Sequence, residues 1–196
     1  MNASNDGDAQ LIEACLEGNE NAFEKLVLRF QNKVFTLIVR MVRNRETALD
    51  LSQEVFIKIF RKLDKLKNKK RLSSWIMQVA HNTTLDYIKK RRLESVSTDF
   101  DDQATQQRMA RFITTPNSIA PDAIVERLTP SQMDELVNEL DLKYRTIITL
   151  RFVEGYPFQE IADILKLPLS TVKFRKHYAI KLLQQKWLAR SSSKTE

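Results

Sequence analysis

Apolar side chains recur at three- and four-residue spacing along the first half of the chain, which is the pattern of helices with one buried face. Four stretches show this pattern: residues 9–30, 31–43, 46–64 and 72–92. The apolar set of the third stretch is Leu49, Val55, Phe56, Ile59, Phe60 and Leu63. A polar break at residues 18–21 divides the first stretch, and we expect Asn21 to cap the helix that follows. Together the stretches predict one helical domain over residues 9–94.

A polar segment then interrupts the periodicity over residues 95–130. It contains an acidic run at residues 99–102 and two prolines, Pro116 and Pro121, and only residues 106–113 favour a short helix. This composition is typical of a linker. A connection of this length inside one compact domain would be unusual, which favours two domains.

The helical pattern resumes over residues 131–188 and predicts a second small domain. Asp141 is expected to cap a helix over residues 144–153. With 3 glycines and 5 prolines, the chain has too few turn residues for a β-sandwich or barrel. The fold class predicted is therefore all-α, with two small helical domains joined by a flexible linker.

Charge and cysteine content narrow the class of function. The net charge is +7, and it is segregated, with residues 1–30 acidic and residues 31–95 strongly basic. Such a surface favours an anionic partner. The single cysteine, Cys15, excludes an internal disulfide or a cysteine-rich zinc site, and we expect it to be buried.

Several other classes of function are disfavoured by what the sequence contains. The two histidines, His81 and His177, lie in different predicted domains, and there is no glycine-rich phosphate loop. We therefore expect neither an enzyme nor a cofactor or metal site. The apolar runs are too short to span a bilayer, and the N-terminus shows no signal peptide, so the sequence predicts a cytoplasmic protein.

Residues 155–183 have the pattern of a helix-turn-helix. The first helix is expected to begin near Phe158, and the small Ala162 permits a second helix to cross closely and pack through Val172. Residues 166–168 form the turn. If Lys166 adopts a left-handed backbone there, the cost is about 1 kcal/mol. The second helix is expected to begin at residue 169 or 170, with Ser170 or Thr171 as its cap.

The outward face of this second helix combines cations with aromatic side chains. Its members are Lys173, Phe174, Arg175, Lys176, His177, Tyr178 and Lys181. Cations reach phosphates and guanine edges, and aromatic rings contact thymine methyl groups. An ordinary helical hairpin with a solvated charged face is the alternative. The spacing of Ala162, the proline turn and Val172 favours a helix that binds in the major groove.

The first domain carries two polar features of its own. One is a stripe on the helix of residues 46–64, formed by Asp50, Gln53, Glu54 and Lys58, which periodicity alone would assign to solvent. The other is a basic loop, residues 65–71, followed by a helix with Gln78, His81, Asn82 and Asp86. Cations suit a phosphate backbone, and planar amides and imidazole suit unpaired bases. Trp75 and Tyr87 are expected to belong to the core.

These motifs, in this order, resemble those of bacterial sigma factors, and more narrowly of the extracytoplasmic-function group, which retains only the second and fourth conserved regions. The resemblance covers about residues 9–94 and 131–188. It implies that residues 9–94 bind core RNA polymerase and recognise and melt the minus-ten element. Residues 131–188 would recognise the minus-thirty-five element. The linker, residues 95–130, would thread the polymerase active-site channel, where the acidic run at residues 99–102 would mimic nucleic acid.

The resemblance also implies roles for individual residues. Those that match the polymerase-binding helix are Asp50, Gln53, Glu54, Phe56 and Lys58. Those that match the minus-ten site are Lys67, Asn68, Lys69, Lys70, Arg71, Gln78, His81, Asn82 and Asp86. Those that match the minus-thirty-five helix are Lys173, Phe174, Arg175, His177, Tyr178 and Lys181. Phe174 departs from the family, in which a small polar residue is common at this position.

The partners implied are core RNA polymerase and promoter DNA, both as duplex and as a melted strand. An anti-sigma protein commonly restrains relatives, and nothing in this sequence identifies such a partner. The alternative is a stand-alone helix-turn-helix regulator whose first domain dimerises or senses a ligand. The basic loop at residues 67–71 argues against it, because a dimerisation domain gains nothing from such charge.

Overall fold

The computed structural model describes residues 3–94 and 129–192, and every regular element in those ranges is helical. The helices are α1 (Ala3–Leu16), α2 (Glu20–Val42), α3 (Arg45–Lys62), α4 (Leu72–Glu94), α5 (Pro130–Asn138), α6 (Leu142–Ile148), α7 (Phe158–Leu165) and α8 (Leu169–Ser192). The all-α fold class is confirmed. The acidic run at residues 99–102 and the short helix expected at residues 106–113 lie outside the described residues.

Capping residues determine where the helices of the N-terminal unit (α1–α4) begin. The Asn19 side-chain oxygen accepts a hydrogen bond from the Ala22 amide at 3.2 Å, and that of Asn44 accepts one from the Thr47 amide at 2.8 Å. The cap of α2 is therefore Asn19 and not the expected Asn21. Helix α2 also continues through the break expected at residue 30, since residues 20–42 contain neither glycine nor proline.

The core of the N-terminal unit lies where α2 packs against α3 and α4. Its fully buried side chains include Leu37, Ile59 and Ile76. Cys15 is buried as expected, and this burial raises the pKa of its thiol. Trp75 and Tyr87 are partly buried against the same core, which confirms their expected place.

The C-terminal unit (α5–α8) contains the helix-turn-helix. Helix α7 begins at Phe158 as expected, and Lys166 ends it in the left-handed conformation with φ 53°. The expected caps of α8 are wrong. The Pro168 carbonyl accepts the first bond of the helix, from the Val172 amide at 3.1 Å, so Ser170 and Thr171 lie inside its first turn.

Asp141 stands at the start of α6, but its side chain makes no capping hydrogen bond, contrary to expectation. The helix expected over residues 144–153 is α6 followed by a π-helical turn, Thr149–Val153. Buried side chains from α5, α6 and α8 form a cluster that belongs to this unit alone among the described residues. It comprises Leu136, Val137, Leu140, Tyr144, Ile148, Ala179, Ile180 and Leu183.

The two units also share a core. Ile147, Ile161 and Val172 of the C-terminal unit belong to the same buried cluster as Leu37 and Ile76 of the N-terminal unit. Burying each such aliphatic side chain stabilises the fold by about 1.5–3 kcal/mol. Among the described residues, no helix is long and apolar enough to cross a membrane.

A buried arginine reinforces this junction. The Arg145 guanidinium donates to the Met41 carbonyl of α2 at 3.0 Å and to the Leu140 carbonyl at 2.8 Å. Burial, together with the nearby positive charge of Arg43, lowers the pKa of Arg145 to about 10, so the side chain stays protonated at neutral pH. One charged side chain therefore satisfies backbone acceptors in both units.

Candidate nucleic-acid and polymerase interfaces

The polar stripe predicted on α3 is on the surface. Asp50, Gln53 and Glu54 are exposed. Lys58 is half-buried, because its ammonium group pairs with Glu54 at 2.6 Å and donates to the Thr83 hydroxyl of α4 at 3.3 Å. Phe56 is partly buried against the core. Three of the five residues are thus open to a partner, and Lys58 ties α3 to α4.

Sequence reasoning missed an apolar surface on the same helix. Leu49, Ile57 and Phe60 are 46%, 51% and 63% exposed, although Leu49 and Phe60 were expected to face the core. The Phe60 ring meets Phe23 edge-on, with 5.0 Å between the ring centroids, so one side of it is packed while the rest faces solvent. The signal was a surplus of apolar residues, since α3 has more than one helix face can bury.

The basic loop has a defined shape. The Asn68 side-chain oxygen accepts a hydrogen bond from the Lys70 amide at 3.1 Å and caps a 3-10 turn, Lys69–Arg71. Lys67, Lys70 and Arg71 are exposed, whereas Lys69 is half-buried and pairs with Glu13 of α1. Three of the four predicted cations are therefore exposed, while Asn68 and Lys69 hold the loop in place.

The polar residues of α4 follow the loop along one helix. Gln78, His81 and Asn82 are partly buried and Asp86 is exposed. His81 Nδ1 lies 3.4 Å from the Asn82 side-chain oxygen. Burial lowers the pKa of His81, which outweighs the opposite effect of that hydrogen bond. At neutral pH His81 is therefore a neutral imidazole with one donor and one acceptor nitrogen.

The face expected to point outward on α8 is divided. Lys173 and His177 are exposed, and Arg175 and Lys181 are half-buried. Phe174 and Tyr178 pack against the C-terminal cluster, and the Tyr178 ring lies 5.0 Å from that of Tyr144. The expectation that these two rings face outward is wrong. These two residues lie four positions apart on α8, next to its buried residues. They therefore widen the apolar face of the helix.

Two of the predicted minus-ten residues contact the C-terminal unit. Arg71 donates to the Asp163 carboxylate of α7 at 2.9 Å, and the Gln78 amide donates to the Asp163 backbone carbonyl at 2.8 Å. Next to them, the Ser73 and Tyr156 hydroxyl groups share a hydrogen bond at 2.6 Å.

A cavity of about 200 Å³ lies between α4 and the C-terminal unit. Its wall includes His81 of the predicted minus-ten set and Arg175 of the predicted minus-thirty-five set. His81 and Arg175 are 94 positions apart in the sequence. The two predicted sets of residues therefore come close together in this conformation.

Comparison with protein families gives two matches in the order that the sequence predicted. Residues 26–94 match Sigma-70 region 2, and residues 131–183 match Sigma-70, region 4. Together the matched residues make up more than half of the chain. Each match falls within one of the two helical units.

Curated relatives align over most of their own length. The ECF RNA polymerase sigma factor SigW of Bacillus subtilis is 29% identical over 167 residues, which is 85% of this chain and 89% of the relative. The RNA polymerase sigma-H factor of Pseudomonas aeruginosa is 28% identical over 172 residues, 86% of this chain and 87% of the relative. The ECF RNA polymerase sigma-E factor of Escherichia coli is 29% identical, with the same coverage of both chains.

Two solved structures show the same fold. CnrH, in complex with the cytosolic domain of CnrY, is 20% identical with a TM-score of 0.65, over 93% of this chain and 97% of that one. RpoE from Bartonella quintana, in complex with the anti-sigma factor NepR, is 19% identical with a TM-score of 0.62, over 83% and 94%. With both sigma-70 regions present in order, and relatives aligned along nearly their whole length, the chain belongs to the extracytoplasmic-function group of sigma-70 factors.

Proposed function

We propose that this sigma factor docks on core RNA polymerase through the outer face of α3, recognises and melts the minus-ten element with the basic loop and α4, and anchors the minus-thirty-five element with α8. The observation that carries the proposal is the division of these surfaces among three helices. One is partly apolar, and the other two present exposed cations.

The exposed apolar side chains of α3 support the docking surface. Leu49, Ile57 and Phe60 lie on the same helix as the charged Asp50 and Glu54. An apolar patch rimmed by polar residues is typical of a site where a protein partner binds. The polar stripe alone would not distinguish such a site from a solvated face.

The basic loop and α4 suit a melted strand. Exposed Lys67, Lys70 and Arg71 supply phosphate contacts, which position DNA without reading its sequence. Gln78, Asn82 and the neutral His81 supply donors and acceptors for unpaired bases. Extruding a base from the stack costs a few kcal/mol, so contacts made only with the open strand favour melting.

For the duplex element, the exposed Lys173 and His177 are the best placed of the six predicted residues. Both lie in the N-terminal half of α8, the part of a recognition helix that contacts base edges. Phe174 and Tyr178 contribute packing that holds this helix against the buried cluster of the C-terminal unit.

Three further assignments follow from this proposal. Sigma factors act by binding, so no residue is assigned a catalytic role. The cytoplasm is the place of action, because core polymerase is there. An anti-sigma protein is a proposed third partner, supported by a similar fold that was solved with the anti-sigma factor NepR.

The test is reconstitution. A tagged full-length chain is incubated with core polymerase, and the transcripts made from genomic DNA are sequenced. We expect association with the core enzyme and discrete start sites that share upstream elements. A chain that binds palindromic duplex tightly without polymerase, and does not associate with the core enzyme, would instead be a stand-alone regulator.

A further inference from the structure

Helix α1 packs against the basic loop. It contacts two 3-10 turns, Leu63–Lys65 at the start of the loop and Lys69–Arg71 at its end. Ile12 and Cys15 anchor the helix in the core of the N-terminal unit, where they are 1% and 8% exposed. The match to Sigma-70 region 2 begins only at residue 26, after the end of α1. The matched region therefore does not say what this helix does.

Two ion pairs tie α1 to its neighbours. Asp8 pairs with Arg29 of α2, and Glu13 pairs with Lys69 of the loop. The Asp8 side chain is only 9% exposed, so this part of the helix is fixed on α2. Glu13 lies five residues further on, about 7.5 Å along the helix axis at 1.5 Å per residue. The helix therefore connects α2 with the basic loop.

Lys69 differs from the neighbouring cations of the loop. Lys67 and Lys70 are exposed, whereas Lys69 is half-buried and its ammonium group meets a carboxylate. Since the Asn68 side-chain oxygen accepts the hydrogen bond of the Lys70 amide, the turn is fixed from within by Asn68 and from outside by Glu13. The sequence predicts that all three lysines contact DNA. Pairing with Glu13 instead neutralises the charge that Lys69 would offer to a phosphate.

The stability of the fold gains little from this ion pair. The side chains of Glu13 and Lys69 are 59% and 36% exposed, and exposed pairs contribute little to the free energy of unfolding. The pair matters more for the shape of the loop. Like charges at Lys67, Lys70 and Arg71 repel one another, and a carboxylate held at Lys69 offsets part of that repulsion. A site that accepts a base must be held within about 0.5 Å of its productive geometry.

We propose that Glu13 is a positioning residue for the minus-ten site. By holding Lys69, it keeps the basic loop in the shape that accepts an unpaired base, and it withdraws that lysine from contact with phosphate. The inference rests on the proposed function of the basic loop. It also gives a use to the acidic charge that the sequence concentrates in residues 1–30.

Base discrimination by the reconstituted holoenzyme tests the positioning role. The probes are a labelled single strand with the minus-ten sequence found in the reconstituted transcripts and the same strand lacking its most strongly selected base. Glu13→Gln removes the charge, and Glu17→Gln makes the same change on an exposed residue one helical turn further on. We expect Glu13→Gln to lower the ratio of the two affinities about two- to fivefold, and Glu17→Gln to leave it unchanged.

The matched variants separate positioning from charge alone. Loss of one negative charge would strengthen the binding of both strands alike and would do so in both variants, so equal ratios in the two variants would overturn the proposal. We expect equal urea midpoints, because both carboxylates are exposed. A loss of discrimination that appears only together with a lowered midpoint would contradict a positioning role.

The salt dependence of strand binding gives a second readout. In the wild-type background, Lys69→Met should leave the slope of the logarithm of affinity against the logarithm of salt concentration unchanged. In the Glu13→Gln background the freed Lys69 can contact phosphate, so Lys69→Met should reduce that slope by about 0.7, as for one phosphate of a single strand. Lys67→Met should reduce it by about 0.7 in both backgrounds. A reduction by Lys69→Met in the wild-type background would show that Lys69 contacts phosphate itself and would overturn the proposal.

The outcomes distinguish this inference from the proposed function. A wild-type holoenzyme that discriminates between the strands, with equal ratios in the Glu13 and Glu17 variants, contradicts the positioning role alone. A wild-type holoenzyme that binds both strands equally, or a chain that does not associate with core polymerase, contradicts the proposed function.

Discussion

At the scale of single residues, the partly buried histidine on α4 has the clearest dependence on pH. His81 titrates with a pKa below its ordinary value of 6.5, chiefly because of burial. Its ring is neutral at neutral pH, the form in which we propose that it contacts unpaired bases. At acidic pH, protonation of the ring is less favourable in the folded chain than in the unfolded chain, and this difference lowers the stability of the fold.

The prediction concerns stability against pH. As the pH falls from about 7 to about 5, the unfolded chain binds a proton at this histidine before the folded chain does, so the free energy of unfolding decreases. A His81→Gln variant should lose that part of the decrease. Urea unfolding of both proteins at several pH values checks it, and parallel curves would show that His81 is not responsible.

At the scale of elements, α3 and α8 differ in which of their apolar side chains are packed and which are exposed. Helix α3 leaves apolar side chains largely exposed, and α8 packs two rings that were expected to read DNA against the C-terminal cluster. Periodicity predicted that both helices exist and very nearly where they begin. It could not decide which apolar side chains stay uncovered, because that depends on which helices pack on either side.

For α3 we predict that Phe60→Ala weakens core polymerase binding by about tenfold, since truncating an aromatic anchor at a protein interface typically costs more than 1 kcal/mol. Stability should fall by about 1 kcal/mol through the lost contact with Phe23. Leu188→Ala, a similarly exposed apolar residue on α8, is the control and should leave binding unchanged. Equal effects of the two changes on polymerase affinity would remove α3 from the interface.

For α8 the structure separates recognition from packing. Lys173→Ala should reduce the slope of the logarithm of DNA affinity against the logarithm of salt concentration by about one, which corresponds to one counterion. It should not alter stability. Phe174→Ala should instead lower stability by about 2 kcal/mol or more, because its ring packs on the C-terminal cluster. Duplex binding at several salt concentrations, together with urea unfolding, measures both. A stable Phe174 variant with altered base preference would show that this ring reads DNA.

At the scale of the whole molecule, two domains were predicted and two units share one core. The sequence contains the motifs of both units and the long segment between them. It contains no local signal that Arg145 reaches the Met41 carbonyl or that Gln78 meets Asp163, because those contacts join residues 104 and 85 positions apart. The residues proposed for the minus-ten element could be named from pattern and resemblance, whereas the packing of α7 against them could not.

The shared core predicts cooperative unfolding. Each unit carries one tryptophan, Trp75 or Trp187, so Trp187→Phe and Trp75→Phe variants report the two units separately by fluorescence. We expect their urea transitions to coincide. Arg145→Met, which removes the donor to both units, should destabilise the chain by about 2–3 kcal/mol and separate the transitions. Two distinct urea midpoints in the single-tryptophan variants that retain Arg145 would mean that the junction contributes little to stability.

The order in which the chain is made gives the packing of α7 on α4 a further consequence. Synthesis proceeds from the N-terminus at about 5–20 residues per second, and domains generally fold in that order. The N-terminal unit therefore leaves the ribosome with α4 bare, and Tyr156 and Asp163 follow only several seconds later. Each new molecule therefore passes through a brief interval in which the face of α4 proposed to bind the minus-ten element is uncovered, before α7 is made and packs on it.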